Sequence, residues 1–306
     1  MTVRVVCIGG ANVDRKAKGL QPLRLADSNP AAMTQTCGGV ARNIAENLAR
    51  AGVPTAMVAA VGDDADGRWL LEQMRAAGIG TEAVIVMPGE RTGTYVAMLE
   101  PDGELAIAVN DMRILDRLTS DMIDERWPVI AAAELVLLDA NPPADVIRHL
   151  IGRCSAERIR LCLNPASAVK IGKFPRNLSG VELLVANRME AAAFTGVKVE
   201  TADDAREAAG RLLEAGVKQA VITLGKEGLV WANAQAQGHL PPSRVSVVDV
   251  TGAGDALMAG VMVGLLEGRT LEHACRIGQH ASALTLQSES SIVAWNREQI
   301  ERLATL

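Results

Sequence analysis

The segment Val250–Asp255 and the run of apolar residues and glycines from 256 to 266 constrain this chain more than any other feature. The run predicts a buried helix. Its first turn carries Gly252-Ala253-Gly254, although glycine costs about 1 kcal/mol relative to alanine inside a helix. Small residues leave backbone N–H groups uncovered, and a helix N-terminus attracts anions. Asp255 lies in the same turn. An anion-binding site beside a carboxylate suits phosphoryl transfer to a hydroxyl, because the site can hold the phosphoryl group while the carboxylate accepts the proton of the hydroxyl.

A simpler interpretation of this turn is that Asp255 only complements the helix dipole and that the glycines allow close packing. Two other nucleotide-binding motifs are excluded. No third glycine follows Gly254 by three residues, as the dinucleotide-binding fingerprint requires. Gly225-Lys226 is followed by Glu227, which cannot supply the hydroxyl that the P-loop provides to Mg²⁺ at that position.

The composition excludes several classes of protein. The chain has 306 residues, 49% of them hydrophobic, with a formal net charge of −5 and no basic tract, so we expect no nucleic-acid groove. Its five cysteines are scattered without metal-ligand spacing, which indicates a reducing, cytoplasmic location. The N-terminal apolar run is too short for a signal peptide, and there is no run of about eighteen apolar residues that could span a membrane.

Strand-like and helix-like segments alternate along most of the chain, which predicts an α/β fold with a doubly wound, mostly parallel sheet in a single domain over 1–306. The predicted strands are 3–8, 53–61, 83–87, 134–139, 159–163, 181–186 and 219–224, and 229–231 is a returning hairpin strand. The predicted helices are 40–51, 66–77, 120–132, 143–154, 202–215, 255–267, 271–286 and 296–304, with another starting at 187–190.

Two segments interrupt this alternation. Residues 15–36 contain few apolar alternations, and Asp102-Gly103 lies between two strand-like runs, which is typical of a hairpin that ends at Asn110-Asp111. We expect the two segments to form a small β lid from inserts at about 13–37 and 90–112. Exposed strand edges tend to be covered, so we expect a homodimer in which two lids pair.

Polar side chains follow several predicted strands or open the next helix: Asn12, Asp14, Asn164, Asn187, Glu190 and Asp255. In parallel α/β sheets, ligands bind beyond the carboxyl ends of the strands. Asn187 and Glu190 share one side of a helix and could hold Mg²⁺ through waters near phosphates. The simpler interpretations are a helix cap with a surface charge for this pair, and turn formation for Asn12 and Asp14.

Two longer segments carry a family resemblance. Gly38-Gly39-Val40-Ala41-Arg42-Asn43-Ile44-Ala45 resembles the N-terminal signature of the ribokinase-like (PfkB) carbohydrate and nucleoside kinases, and Asp249–Asp255 resembles their C-terminal signature. Asn187-x-x-Glu190 and Thr223-x-Gly225-x-x-Gly228 are similar to blocks for Mg²⁺ and nucleotide binding. The resemblance covers nearly the whole chain and implies a three-layer ribokinase-like fold with ATP and Mg²⁺ as cofactors.

The resemblance also implies roles for individual residues. Asp255 is the base, and the N–H groups of Gly252, Ala253 and Gly254 stabilise the transferring phosphoryl group. The residues implied to hold the ribosyl hydroxyls are Asn12, Asp14, Gly39 and Asn43. Asn187 and Glu190 organise Mg²⁺ and the phosphates, and the nucleotide is lined by Thr223, Gly225 and Gly228. A monovalent cation such as K⁺ is assigned to Asp249 and Thr251, with the loop at 287–291 completing its site.

Four further segments resemble the members of this family that phosphorylate the 5′-hydroxyl of pseudouridine: Ala26–Pro30, Pro88–Tyr95, Asn110–Met112 and Asn164–Lys170. In the last segment, Asn164 stands where we expect aspartate. The resemblance implies a nucleoside as the acceptor, with Asn29, Thr94, Asn110 and Lys170 as further substrate-binding residues. Ribose, another sugar or adenosine is the alternative acceptor, and a non-catalytic ligand sensor is the alternative function.

Overall fold

The computed structural model describes residues 3–288, 292, 293 and 295. Its strands are β1 Val5–Ile8, β2 Asn12–Gly19, β3 Ala31–Gly38, β4 Thr55–Val58, β5 Ala60–Gly62, β6 Ile79–Gly80, β7 Ile85–Met87, β8 Thr94–Leu99, β9 Leu105–Asp111, β10 Leu135–Asp139, β11 Leu161–Asn164, β12 Val181–Asn187, β13 Gln219–Thr223, β14 Leu229–Asn233 and β15 Gln237–Leu240. Its helices are α1 Val40–Arg50, α2 Ala65–Ala76, α3 Ser120–Asp124, α4 Trp127–Ala131, α5 Ala144–Ala156, α6 Arg188–Thr195, α7 Ala202–Glu214, α8 Ala253–Leu266 and α9 Leu271–Leu286. The helix predicted at 296–304 lies outside the described residues.

The main sheet has nine strands in the order β15-β14-β13-β12-β11-β10-β1-β4-β6. The strands from β13 to β6 pair in parallel, and β14 and β15 add antiparallel pairs at one edge. Alternate residues of the strands enter two apolar layers. Val5 and Cys7 pack in the layer of α1, α2, α8 and α9, whereas Val6 and Ile8 pack in the layer of α3 to α7. The predicted three-layer, doubly wound α/β fold is therefore confirmed.

Two predicted elements are wrong in their extent. The strand predicted at 53–61 is two strands, because β4 pairs with β1 whereas β5 leaves the main sheet to pair with β7. The helix predicted at 120–132 is two short helices, with Pro128 in the first turn of α4. A continuous helix would need the N–H that proline lacks and would press the proline ring against the carbonyl of Asp124.

A second sheet of four strands, in the order β3-β2-β8-β9, is formed by the segments that were expected to make the lid. The hairpin ends at Asn110-Asp111 as expected, because the cross-strand ladder runs through Asn110 to Asp111, the last residue of β9. The pairing register places Asp14 and Asn110 on one face of this sheet. The opposite face carries Met98 and Ile107, which are adjacent across β8 and β9.

Close packing of α8 against its neighbours explains the glycines within that helix. A Cβ atom at Gly260 would lie 2.6 Å from the Cα of Gly278 in α9, and one at Gly264 would lie 2.6 Å from the Cα of Ala274. From Ala256 to Leu265 the helix is buried, whereas its first turn is open at the carboxyl ends of the strands. Within the described part of the chain, no helix has the length and hydropathy needed to cross a membrane.

Candidate active site

The first turns of α1 and α8 meet beyond the end of β1, and a side-chain hydrogen bond joins them. The Nδ2 of Asn43 donates to the Oδ2 of Asp255 at 2.8 Å. The Oδ1 of Asn43 is buried and has no hydrogen-bond partner among the described residues. Leaving a buried acceptor unpaired costs about 1–3 kcal/mol. A ligand with two hydroxyl groups could donate one to the Oδ1 of Asn43 and place the other beside Asp255.

The electrostatic surroundings of Asp255 suit a proton acceptor. Burial raises the pKa of Asp255 to about 7, and the negative charges of Asp139 and Glu190 act in the same direction. The hydrogen bond from Asn43 and the positive charge of Arg42 oppose this rise. A carboxylate whose pKa lies near neutrality can be ionised at working pH and still accept a proton readily.

The helix end beside Asp255 leaves room for an anion. Gly252 precedes α8 with a φ of 79°, a conformation that favours glycine. A Cβ atom at Gly254 would meet nothing within 4 Å, so this glycine is not required by packing within the protein. The first N–H groups of a helix have no intrahelical acceptor, and they attract phosphate groups. Packing therefore explains Gly260 and Gly264 but not Gly254.

The residues expected to bind the ribosyl hydroxyls form a compact group at the start of β2. The Nδ2 of Asn12 donates to the Oδ1 of Asp14 at 2.6 Å. Burial raises the pKa of Asp14, whereas the bond from Asn12 and the charge of Arg42 lower it. A Cβ atom at Gly38 would overlap the Asp14 carboxylate, and one at Gly39, whose φ is 101°, would overlap the carbonyl of Gly10.

Asp139, the last residue of β10, is a central residue of this region that the sequence patterns did not identify. It is fully buried, and its carboxylate accepts hydrogen bonds from the backbone N–H groups of Gly10, Ala41 and Asn141 and from the side chain of Asn141. Burial raises its pKa and these bonds oppose the rise. The strand-end pattern could have found it, because Asp139 ends β10 as Asn164 ends β11.

A cavity of about 510 Å³ lies next to this group. Its lining includes Asn110 from the second sheet, Met112 directly after that sheet, Asn141, and the side chains of Lys170 and Lys173. A Cβ atom at position 93 would lie 3.0 Å from the Sδ of Met112 and 3.3 Å from the Cβ of Asn12, so the cavity adjoins the proposed sugar site. Asn110 and Lys170 thus line the same cavity.

The residues expected on the nucleotide side lie at the ends of β12 and β13. Asn187 and Thr223 are adjacent across these strands. Asn187 and Glu190 form a capping box at the start of α6: the Oδ1 of Asn187 accepts from the N–H of Glu190, and the Oε2 of Glu190 accepts from the N–H of Asn187. The simpler interpretation of this pair, a helix cap, therefore holds, although Glu190 is buried rather than a surface charge.

The two glycines that follow β13 differ in what surrounds them. A Cβ atom at Gly225 would meet nothing within 4 Å, whereas one at Gly228, whose φ is 87°, would overlap the carbonyl of Leu240. Gly228 is therefore required by the fold, and Gly225 leaves open space. Arg188, which sequence reasoning did not single out, fixes this turn by donating to the carbonyl of Leu224 at 3.1 Å.

Three other expected site residues have local partners. The N–H and the hydroxyl of Thr251 donate to the Oδ1 of Asp249 at 2.9 and 2.8 Å. Asn29 lies in the loop between β2 and β3, where its Nδ2 donates to two carbonyls of the same loop and its Oδ1 accepts from the N–H of Arg24. The hydroxyl of Thr94 donates to the carbonyl of residue 92. Of the expected 287–291 loop, residues 289–291 lie outside the described residues.

The model of the pfkB family of carbohydrate kinases matches residues 3–297 of this chain. The chain belongs to the pfkB family. A pseudouridine kinase from Escherichia coli K12 is 32% identical over 286 residues, which cover 93% of this chain and 91% of that protein. A carbohydrate kinase from Agrobacterium tumefaciens superimposes with a TM-score of 0.88 at 31% identity, covering 99% of this chain and 97% of that one.

The fold is also that of a ribokinase from Arabidopsis thaliana solved with ribose and ATP, with a TM-score of 0.87, 23% identity and complete coverage of both chains. Membership of the pfkB family supports an ATP-dependent phosphotransferase that acts on a sugar or a nucleoside. The expectation of a ribokinase-like kinase is thereby confirmed. The choice between a sugar and a particular nucleoside rests on the site itself.

Proposed function

We propose that this protein transfers the terminal phosphoryl group of ATP to the 5′-hydroxyl of pseudouridine, giving pseudouridine 5′-phosphate and ADP. The observation that carries the proposal is the pair formed by Asn43 and Asp255 at the open N-terminus of α8. The pair offers a buried, unpartnered oxygen to one hydroxyl of the ribose and a carboxylate of pKa about 7 to the 5′-hydroxyl.

The ribose would be held by its hydroxyl groups at the start of β2. The Asp14 carboxylate can accept from two neighbouring hydroxyls, and the hydrogen bond from Asn12 fixes its orientation. Gly38 and Gly39 let the backbone pass directly beside Asp14 and Gly10, where any side chain would fill the space. This arrangement would place the 5′-hydroxyl at Asp255 by positioning alone, which is a large part of catalysis in phosphoryl transfer.

In the reaction, the 5′-oxygen attacks the terminal phosphorus of ATP while Asp255 accepts the proton of the hydroxyl. The bond from that phosphorus to the bridging oxygen breaks, and ADP leaves. The N–H groups of Gly252, Ala253 and Gly254 would face the negative charge on the transferring group. The nucleotide would lie along Thr223 and Gly225, where an added side chain would project into open space.

The side chains present fit a Mg²⁺ ion that is bound mainly by phosphates and water. Among the described residues, no group of three or more acidic, histidine or cysteine side chains could enclose a metal. Glu190 lies close enough for its charge to raise the pKa of Asp255, and burial raises the pKa of Glu190 itself. One carboxylate acting through water beside ATP is the usual mode for this ion. When bound, Mg²⁺ would neutralise phosphate charge.

Asp249 and Thr251 are proposed to help bind a monovalent cation such as K⁺. The hydrogen bonds from Thr251 hold the pKa of Asp249 below its usual value although burial acts against them. Asp249 is therefore ionised at neutral pH, directly before the helix end that would receive the phosphoryl group. A cation here would tighten the loop that precedes Gly252.

The cavity lined by Asn110 and Lys170 favours a nucleoside over a free sugar, because a base attached to the ribose would have a place beside Asn12. Pseudouracil exposes one ring N–H more than the uracil of uridine. A buried acceptor left unpaired by uridine would allow the two to be distinguished.

The test is ADP release from ATP and Mg²⁺ with pseudouridine, uridine, adenosine or ribose as acceptor. We expect turnover with pseudouridine and a much lower kcat/KM with the other three. Turnover with ribose or adenosine in preference would refute the proposed acceptor. No turnover with any acceptor would favour the non-catalytic sensor.

We further propose that the second sheet acts as a lid and that two copies associate through its outer face, in the cytoplasm. Met33, Met98 and Ile107 lie in one row across β3, β8 and β9 and are 62%, 47% and 56% exposed. Exposed apolar rows of this kind are typical of contact surfaces between proteins. Sedimentation giving only the monomer at micromolar concentration would contradict the dimer.

A further inference from the structure

Asn141, which follows β10, connects an acidic group with a basic one. Its Nδ2 donates to the Oδ2 of Asp139 at 2.6 Å, and its Oδ1 accepts from the Nζ of Lys170 at 2.7 Å. Its side chain can be oriented in only one way, because the carboxylate requires a donor and the ammonium requires an acceptor. The backbone N–H of Asn141 donates to the Oδ1 of Asp139 at 2.9 Å, which fixes the residue at both ends.

Asp139 links the side-chain amide of Asn141 by hydrogen bonds to the two segments that carry Asn12 and Asn43. Its carboxylate accepts from the N–H of Gly10 at 3.0 Å and from the N–H of Ala41 at 3.1 Å. Gly10 lies two residues before Asn12, and Ala41 lies two residues before Asn43. Asp139 therefore holds the loop after β1 and the start of α1 against each other.

Lys170 is fixed by its backbone as well as by Asn141. The Oγ of Ser167 accepts from the N–H of Lys170 at 3.2 Å, within a tight turn in which Ala166 has a φ of 58°. A lysine side chain that is free in solvent samples many rotamers. The bond to Asn141 removes much of that freedom and leaves two N–H donors of Lys170 for a ligand in the adjoining cavity.

We propose that Asn141 is a positioning residue for acceptor recognition, which holds the Lys170 ammonium at a fixed place relative to Asn12 and Asn43. The inference rests on the proposed function, because it takes the cavity to receive the base of the nucleoside. Lys170 then donates to a carbonyl oxygen of the base while Asn43 accepts from a ribosyl hydroxyl and Asp255 accepts from the 5′-hydroxyl. The distance between the contacts of Lys170 and Asn43 is set by the rigid path through Asp139.

Other side chains at position 141 would break this path. Aspartate would place a second carboxylate against Asp139, where the donor of Asn141 now lies at 2.6 Å. Alanine would leave Lys170 without its acceptor, although the backbone N–H would still bind Asp139. Serine could keep a donor near Asp139 but is too short to hold Lys170, so it is a milder version of the alanine variant.

The test is a double-mutant cycle on kcat and KM for pseudouridine, with Asn141→Ala, Lys170→Met and the double variant. We expect Asn141→Ala to raise KM about tenfold, as the loss of one hydrogen bond to a charged group would. We expect kcat to stay within about twofold, because Asp139 keeps its bonds to Gly10 and Ala41. The double variant should be no worse than Lys170→Met alone, since Asn141 acts through Lys170.

The inference would be overturned if the losses in kcat/KM of the two single variants multiply in the double variant. It would also be overturned if Asn141→Ala lowers kcat and leaves KM unchanged, because that is the result expected of a purely structural role. If Asn141→Ala does not fold, Asn141→Ser takes its place in the same cycle. Absence of wild-type turnover with pseudouridine would instead refute the proposed acceptor. If the wild type uses another nucleoside, the cycle is run on that nucleoside, with non-multiplying losses supporting the inference and multiplying losses overturning it. Use of free ribose, which has no base to accept from Lys170, would overturn the inference.

Discussion

Replacing Asp255 by asparagine should stabilise the folded protein at alkaline pH while it removes activity. The pKa of this carboxyl rises from 3.8 to about 7 on folding. Since each pKa unit corresponds to about 1.36 kcal/mol, ionising Asp255 in the folded protein costs up to about 4 kcal/mol. The folded state holds its proton more tightly than the unfolded state, so the cost develops as pH rises from about 4 to about 7 and is complete above that range.

The asparagine variant keeps an oxygen that can accept from Asn43 but has no charge to desolvate. Urea unfolding followed by tryptophan fluorescence should therefore show a stability gain over the wild type that is larger at about pH 8 than at about pH 5, by about 2.5 kcal/mol. The kcat of the same variant should fall by about 10²–10⁴-fold. A stability gain that is equal at both pH values, or that shrinks as pH rises, would refute the reasoning.

Asp249, in the loop that directly precedes α8, provides a matched control. Its pKa is lowered in the folded protein, because the hydrogen bonds from Thr251 outweigh the effect of partial burial. It is therefore ionised in both the folded and the unfolded state from about pH 5 upward, and its contribution to stability is constant there. Asp249→Asn should lose stability by an amount that does not change between about pH 5 and about pH 8.

Three other variants have clear expected outcomes. Gly254→Ala should gain about 0.5–1 kcal/mol of stability in urea unfolding and lose at least about tenfold in kcat, because its methyl group would enter the space for the phosphoryl group; unchanged kcat would count against the anion site. Gly39→Ala should lose more than about 2 kcal/mol in thermal unfolding, since φ is 101° and its Cβ would overlap the carbonyl of Gly10; a wild-type melting temperature would contradict this. Met98→Glu should sediment as a monomer with an unchanged melting temperature, and persistence of a dimer would exclude this face.

The sequence could predict the layers of the fold because strand and helix periods are local properties. The β-branched runs at β1 and β10 and the glycines after α1 and α2 are sufficient for that purpose. Periodicity could not divide the run at 53–61, because every residue from 55 to 62 is buried and only the strand partner changes. Partner exchange is a tertiary property without a local signal.

In the candidate site, too, the residues with a local sequence signal could be predicted and those that depend on tertiary contacts could not. Asp255 and Asn43 could be predicted because each lies in the first turn of a helix that opens with glycines. Asp139 was missed although it ends a predicted strand. The N–H groups of Gly10 and Ala41 that donate to its carboxylate come from distant segments, so only the fold shows these contacts. Asn29 was predicted from resemblance alone, and its amide is occupied within its own loop.

The most direct test of the account is the pH dependence of kcat/KM for pseudouridine at saturating ATP and Mg²⁺. This parameter reports the ionisation of the enzyme with ATP bound before pseudouridine binds, and in the protein alone the pKa of Asp255 is about 7. We expect kcat/KM to rise tenfold per pH unit below about pH 6 and to level off above about pH 8, with the low-pH limb absent in Asp255→Asn. A wild-type profile that is flat from about pH 5 to pH 8, or an Asp255→Asn profile with the same limb, would contradict Asp255 as the base.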